Sequence, residues 1–199
     1  MPYVLTVDQR ASRRSADRVA ALLPRVNRDV RAVLPFERTA GDEFQGVLDD
    51  PAAVVDLVLG LVRDGGWSIG IGAGPVQAPL PSSTRAATGQ AFLAARRAVD
   101  AAKQRSLGIA VRGAAPPDAG DAQAVLSALA LLVDRRSEQA WEAIAAVARE
   151  RTQAQAAAAL GISRQAVGQR LAAGQWDLER ELRPTAARLL MRAAKEDSA

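Results

Sequence analysis

The stretch FERTAGDEFQGVLDD, residues 36–50, has the apolar flanks of a short hairpin, but its tip carries Asp42 and Glu43 side by side. An ordinary turn needs only one polar residue there. Two adjacent carboxylates make the tip either a solvated turn or a site for a hard cation, since carboxylate oxygens are what magnesium takes. The chain contains no histidine and no cysteine, which removes the commonest general base, thiolate metal sites and disulfides. Chemistry therefore falls to carboxylates, hydroxyls, Arg and Lys, with an oxygen-ligated ion such as Mg2+ the fitting cofactor.

A second set of residues points to recognition rather than reaction. In TQAQAAAALGISRQAVGQRLAAG, residues 152–174, Ala156, Leu160, Ile162, Val167 and Leu171 are spaced to face one core from two short helices. Gly161 falls where the sharp turn between them needs positive φ, Ser163 can cap the second helix, and the small Ala157 lets the two approach. The unit resembles the helix-turn-helix of sigma-factor region 4 and many bacterial repressors. That resemblance implies double-stranded DNA as partner, with the second helix in the major groove and Ser163, Arg164, Gln165, Gly168 and Gln169 toward the base edges. Arg164 would pair with guanine and Gln165 or Gln169 with adenine. Arg151 and Arg170 would meet phosphates, while Thr152 and Gln153 cap the first helix. An alanine-rich helical hairpin is the plain alternative. Between Arg151 and Trp176 there are three Arg and no acid, a local bias that the formal charge of +4 hides.

The elements that must position these residues follow from periodicity. Residues 3–7 read as a buried strand running to Asp8, and residues 15–34 as a helix kinked or split by Pro24. After the hairpin come a helix over 51–63, a strand over 67–72 alternating large and small residues, a helix over 88–104 and a strand over 107–111. The order β-α-β-β-α-β-α-β predicts an α+β domain over residues 1–113, a ferredoxin-like or palm-type antiparallel sheet with helices on one face. Residues 114–121, AAPPDAGD, break both periodicities and read as a linker. Helical segments at 122–134, 137–150, 152–160, 163–173 and 184–196 make residues 122–199 an all-α domain. Trp67, Trp141 and Trp176 suit core or domain contacts.

Ala40-Gly41-Asp42-Glu43-Phe44 differs by one residue from the signature of the GGDEF cyclic-dinucleotide synthases, and the hairpin also resembles that of class III nucleotidyl cyclases. Residues 68–76 look like the strand and turn that follow, and residues 89–97 like the helix that carries a catalytic Asn and Arg. The resemblance implies that Asp8 and Asp42 hold Mg2+ against nucleotide phosphates. It places Asp8, Arg10, Arg14, Asp42, Glu43 and Arg97 around a nucleotide or other small anion. The basic run Arg10, Arg13, Arg14 and Arg18 faces Asp8 in this reading, or is simply a solvated helix face. Leu93 stands where the cyclases have Asn, so binding without turnover is expected. A metal-dependent nucleotidyl cyclase or cyclic-dinucleotide synthase is the alternative.

The combination resembles the SatD family of bacterial proteins, described as DNA-binding, and implies a transcriptional regulator with a degenerate cyclase-like sensor domain. The 199 residues suffice for one moderate domain or two small ones, and the pI near 10.5 permits a polyanionic partner. No long apolar run or signal segment is seen, so a cytoplasmic chain with no membrane partner is expected. A homodimer is expected as well, because one short helix reads few base pairs.

Overall fold

A computed structural model describes residues 1–12, 16–150 and 152–195. The chain runs β1 (Tyr3–Gln9), α1 (Val19–Asp29), β2 (Leu34–Ala40), β3 (Glu43–Leu48), α2 (Pro51–Asp64), β4 (Trp67–Ala73), α3 (Gln90–Lys103) and β5 (Ile109–Gly113). That is the order read from the sequence. Asp50 caps α2 by accepting from the Ala52 N–H, ahead of Pro51 at the first helical position. Pro24 lies inside α1 without splitting it.

The sheet order is β2-β3-β1-β4-β5. The first four strands are antiparallel, but β4 and β5 run parallel. The expectation of a wholly antiparallel sheet is therefore corrected: α3 carries the chain back along the sheet, so β5 starts at the same end as β4.

Strand alternation divides the side chains between two faces. Tyr3, Leu5 and Val7 of β1 join Ile69 and Ile71 of β4 in the main core, with α1 and α2 residues such as Val19, Val26, Val54 and Val58. On the opposite face, Gly70 and Gly72 of β4 lie directly beneath α3. A Cβ at Gly70 would overlap the Val99 backbone, and one at Gly72 the Ala91 carbonyl. Helices thus cover both faces, not one.

The C-terminal part continues with α4 (Pro116–Asp134), α5 (Glu138–Glu150), α6 (Gln153–Leu160), α7 (Arg164–Ala173) and α8 (Trp176–Ala193). Residues 114–121 are not a linker. Pro116 and Pro117 open α4, where their missing N–H groups cost nothing, and Ala115 and Ala119 are buried. Leu126 and Leu129 of α4 and Ala186 and Leu190 of α8 belong to the same core as the sheet. One apolar core therefore crosses the boundary expected near residue 114. Only α5, α6 and α7 have a smaller core of their own, built on Ile144, Ala156, Val167 and Leu171. The last helix begins at Trp176 rather than at 184, with exposed Pro184 inside it. No helix of the described residues is long and apolar enough to cross a membrane.

A buried ion pair ties the end of α4 to α8. Arg136, just after α4, and Glu179 of α8 pair with both side chains at 0% exposure. Arg136 also donates to the Gly174 carbonyl at 3.1 and 2.8 Å. Arg183 donates to the other Glu179 oxygen at 2.7 and 2.5 Å and pairs with Asp56 of α2. Trp141 of α5 lies against two guanidiniums, those of Arg63 at 4.1 Å and Arg136 at 4.4 Å.

Three stability outcomes follow. Gly72→Ala should destabilise by about 1–3 kcal/mol, because the new methyl meets backbone that cannot move without lifting α3. Gly60→Ala, in α2 with nothing within 4 Å of its Cβ position, should instead stabilise by about 0.4–1 kcal/mol. Glu179→Ala should cost about 3–5 kcal/mol, since it strands a buried guanidinium. Urea unfolding of the three variants beside the parent chain checks all of these.

Candidate functional site

Asp8, near the end of β1, and Asp42, in the β2–β3 turn, line one open cleft of about 760 Å3 with Arg10, Ser12, Ser68 and Lys103. The turn is pinned to the strand by the Gln9 N–H, which donates to the Asp42 carbonyl at 3.0 Å. Across the sheet, Asp8 stands opposite Glu43 on one side and Ser68 on the other. Two carboxylates facing each other on adjacent strands repel, and cations must offset them.

Helix α3 supplies those cations. Lys103 Nζ lies 2.9 Å from Asp8 Oδ2, and that hydrogen bond holds the lysine above its ordinary pKa. Arg96 Nη1 donates to Glu43 at 2.7 Å. Thr39 Oγ1 donates to the other Glu43 oxygen at 2.6 Å, which leaves Glu43 buried and away from the cleft, not poised for a ligand. Asp42 accepts from Ser12 Oγ.

The arginines expected on a ligand are engaged by the fold or lie elsewhere. Arg10 donates to Ser68 Oγ at 3.2 Å and to the carbonyls of Ser106 and Arg105 at 3.0 and 2.6 Å, so it clamps the α3–β5 turn. Arg97 lines a different cavity, with Leu93 and Arg112. Arg18 pairs with Asp64 and stacks on Trp67 at 5.0 Å. Arg13 and Arg14 lie outside the described residues.

The donor set fits Mg2+ poorly. Magnesium wants an octahedral shell of oxygens, whereas Asp8 already carries an ammonium, and no group of three or more carboxylates converges among the described residues. A divalent ion between Asp8 and Asp42 has to displace Lys103.

Lys103, Arg96, Ser12 and Ser68 were missed from the sequence. The signal was present in α3: its buried residues Ala91, Ala95, Ala98, Val99 and Ala102 define the inner face. Arg96 and Lys103, two turns apart, flank that face on one side, whereas Gln90, Ala94 and Arg97 flank it on the other. Choosing Arg97 over its neighbour by resemblance overlooked this rotation.

The second candidate is built from α6 and α7. Thr152 caps α6, its Oγ1 accepting from the Gln155 N–H at 3.2 Å. Gly161 follows α6 in the left-handed region, φ 66°, and Ser163 Oγ accepts from the Ala166 N–H at 3.1 Å to start α7. Val167 and Leu171 are buried against α5 and α6, while Thr152, Gln153, Ser163, Arg164, Gln165 and Gln169 are exposed. Gly168 is half-buried beside Gln153 Oε1, which would lie 3.8 Å from an added Cβ. Arg170 departs from the expected role on phosphates: its Nη1 lies 3.2 Å from Glu142 of α5. Arg151 lies outside the described residues. No protein-family model, curated protein or solved structure matches the chain.

Lys103→Met removes the ammonium that competes for Asp8. Millimolar magnesium should then raise the melting temperature of the variant more than that of the parent, a difference that differential scanning fluorimetry reads directly.

Proposed function

We propose that the chain is a DNA-binding regulator that reads duplex DNA through α7. The observation that carries this reading is the division of α7 into two faces. Val167 and Leu171 anchor it to α5 and α6, while Ser163, Arg164, Gln165 and Gln169 stand exposed, and Arg164 has no ion-pair partner among the described residues. A short helix whose tip is polar and basic, and whose Arg164 is not spent on its own fold, suits the major groove, where Arg takes guanine and Gln takes adenine. A protein-docking helix would more often expose an aromatic or aliphatic anchor at that place.

The sheet body is read as a palm-like, ferredoxin-like unit that senses a ligand or holds two copies together. The order β2-β3-β1-β4, with α1 and α2 as its crossovers, supports that reading. The alternative, a metal-dependent nucleotidyl cyclase or cyclic-dinucleotide synthase, draws on Asp8 and Asp42 sharing a cleft. It is weakened by Lys103 on Asp8 and by the position of Leu93 and Arg97 away from that cleft.

Selection from a random duplex library, followed by fluorescence anisotropy, tests the DNA reading. Arg164→Ala should lose about 1–3 kcal/mol on the selected sequence, confined to one base position, and little on random duplex. An equal loss on both would overturn the assignment of α7 as reader. A homodimer should select two half-sites about 34–36 Å apart on one face of the duplex, and sedimentation of the complex gives its stoichiometry.

A further inference from the structure

The cavity that receives Arg97 is separate from the carboxylate cleft. It lies between α3, the end of β5 and the start of α4, with a volume of about 550 Å3, within the usual range for small-molecule sites. Its position is also a familiar one, outside the carboxyl ends of two parallel strands and next to the N-terminus of the following helix. Leu93, Ala94, Val111 and Ala119 give it apolar walls, and Arg97 and Arg112 give it two guanidiniums. Among the described residues no acidic side chain lines it.

We propose that this cavity binds a small organic anion, a phosphate or carboxylate on an apolar body, held by Arg97 and Arg112. Arg97 makes no hydrogen bond or ion pair with the described residues. Arg112 is partly fixed: its Nη1 donates to the Val111 carbonyl at 2.8 Å and to Gln123 Oε1 at 3.3 Å. Its Nε and Nη2 make no such bond and remain donors for a ligand. Gln123 Oε1 also accepts from the Val111 N–H at 3.2 Å, so one amide holds both the edge strand and the arginine. Asp118, the acid in the first turn of α4, is taken by Arg192 at 2.7 Å and leaves the two guanidiniums unneutralised.

Leu93 supplies the apolar half of the case. It is 64% exposed, more than any other large hydrophobic residue of the described chain. A large aliphatic side chain left in water at the mouth of a cation-lined cavity matches a ligand whose charged end reaches the arginines while its apolar body covers the leucine. The α4 dipole adds favourable potential for an anion, but Pro116 and Pro117 offer it no N–H. The arginines must therefore do the gripping, which makes them the positions to change. The site stands whether or not α7 reads DNA.

The test uses the full chain with phenyl phosphate, benzoate and inorganic phosphate, titrated by isothermal calorimetry. At least one aromatic anion should bind saturably, and the tighter of the two identifies the head group. Arg97→Gln, an exposed change that leaves the fold intact, should weaken binding at least tenfold. Arg112→Gln should do the same where circular dichroism shows it folded. Leu93→Ser should weaken the aromatic probes and leave inorganic phosphate unchanged. Lys103→Met, in the other cleft, should leave all of them unchanged. The proposal is overturned if neither aromatic anion binds below about 10 mM, an affinity weaker than about 3 kcal/mol, or if binding survives Arg97→Gln. An effect of Lys103→Met equal to that of Arg97→Gln would move the binding to the carboxylate cleft and also overturn it. Loss of DNA recognition in Arg164→Ala bears on neither arm.

Discussion

The structure depends first on how closely α3 lies on β4. Gly70 and Gly72 leave no side chain between strand and helix, so the backbone of Ala91, Ala95 and Val99 rests on the sheet itself. Ile69 and Ile71, alternating with those glycines, point the other way into the main core. One strand thus serves two packing distances, a full side-chain layer on one face and none on the other. The seating also fixes the rotation of α3 about its axis. Arg96 and Lys103 then fall over the carboxylates of β3 and β1, and Arg97 and Leu93 fall over the end of β5 and the start of α4.

A second constraint lies within the helical part. Arg136 and Glu179 have wholly buried side chains, and one Arg136 nitrogen, Nη1, has no hydrogen-bond partner among the described residues. Such a pair contributes little net stability compared with an apolar replacement, yet it tolerates loss of neither member. Its geometry is also specific: Arg136 holds the carbonyl of Gly174, the residue between α7 and α8. The passage from α7 to α8 is thus held by hydrogen bonds as well as by the apolar core beneath α7.

Much of this was legible in the sequence. The order of elements through β5, the hairpin and the α6–turn–α7 unit follow from local signals such as alternation, caps and a glycine at a positive-φ position. Those signals act over a few residues and survive into the fold. Long-range matters were read less well. AAPPDAGD looked like a linker because prolines and glycine break periodicity, but prolines in a first helical turn are compatible with a helix that has a core to join. Parallel pairing of β4 with β5 depends on where α3 returns the chain, which no window of β5 reports. For the candidate site, Asp8 and Asp42 were correctly brought to one cleft, while the partners of Asp8 and Glu43 depended on the rotation of α3, set by two glycines on another element.

The two clefts beside α3 differ in how their charges are balanced. At its C-terminal end the helix dipole is negative and Asp8 adds a full negative charge, so Lys103 in the last turn answers both. Glu43 is answered by Arg96 and Thr39 in the same way. A cation arriving at Asp8 or Glu43 competes with one the chain already supplies. Beside the start of α4, two arginines line an apolar cavity with no carboxylate in its lining among the described residues, and the acid in the first turn of that helix is spent on Arg192. Like charges brought together without a counter-charge cost free energy in the unliganded fold, and an anion recovers it on binding. The resemblance that drew attention to Asp42 thus led to the end of α3 where Asp8 and Glu43 already hold cations of the chain, whereas the guanidinium without an ion pair among the described residues is that of Arg97.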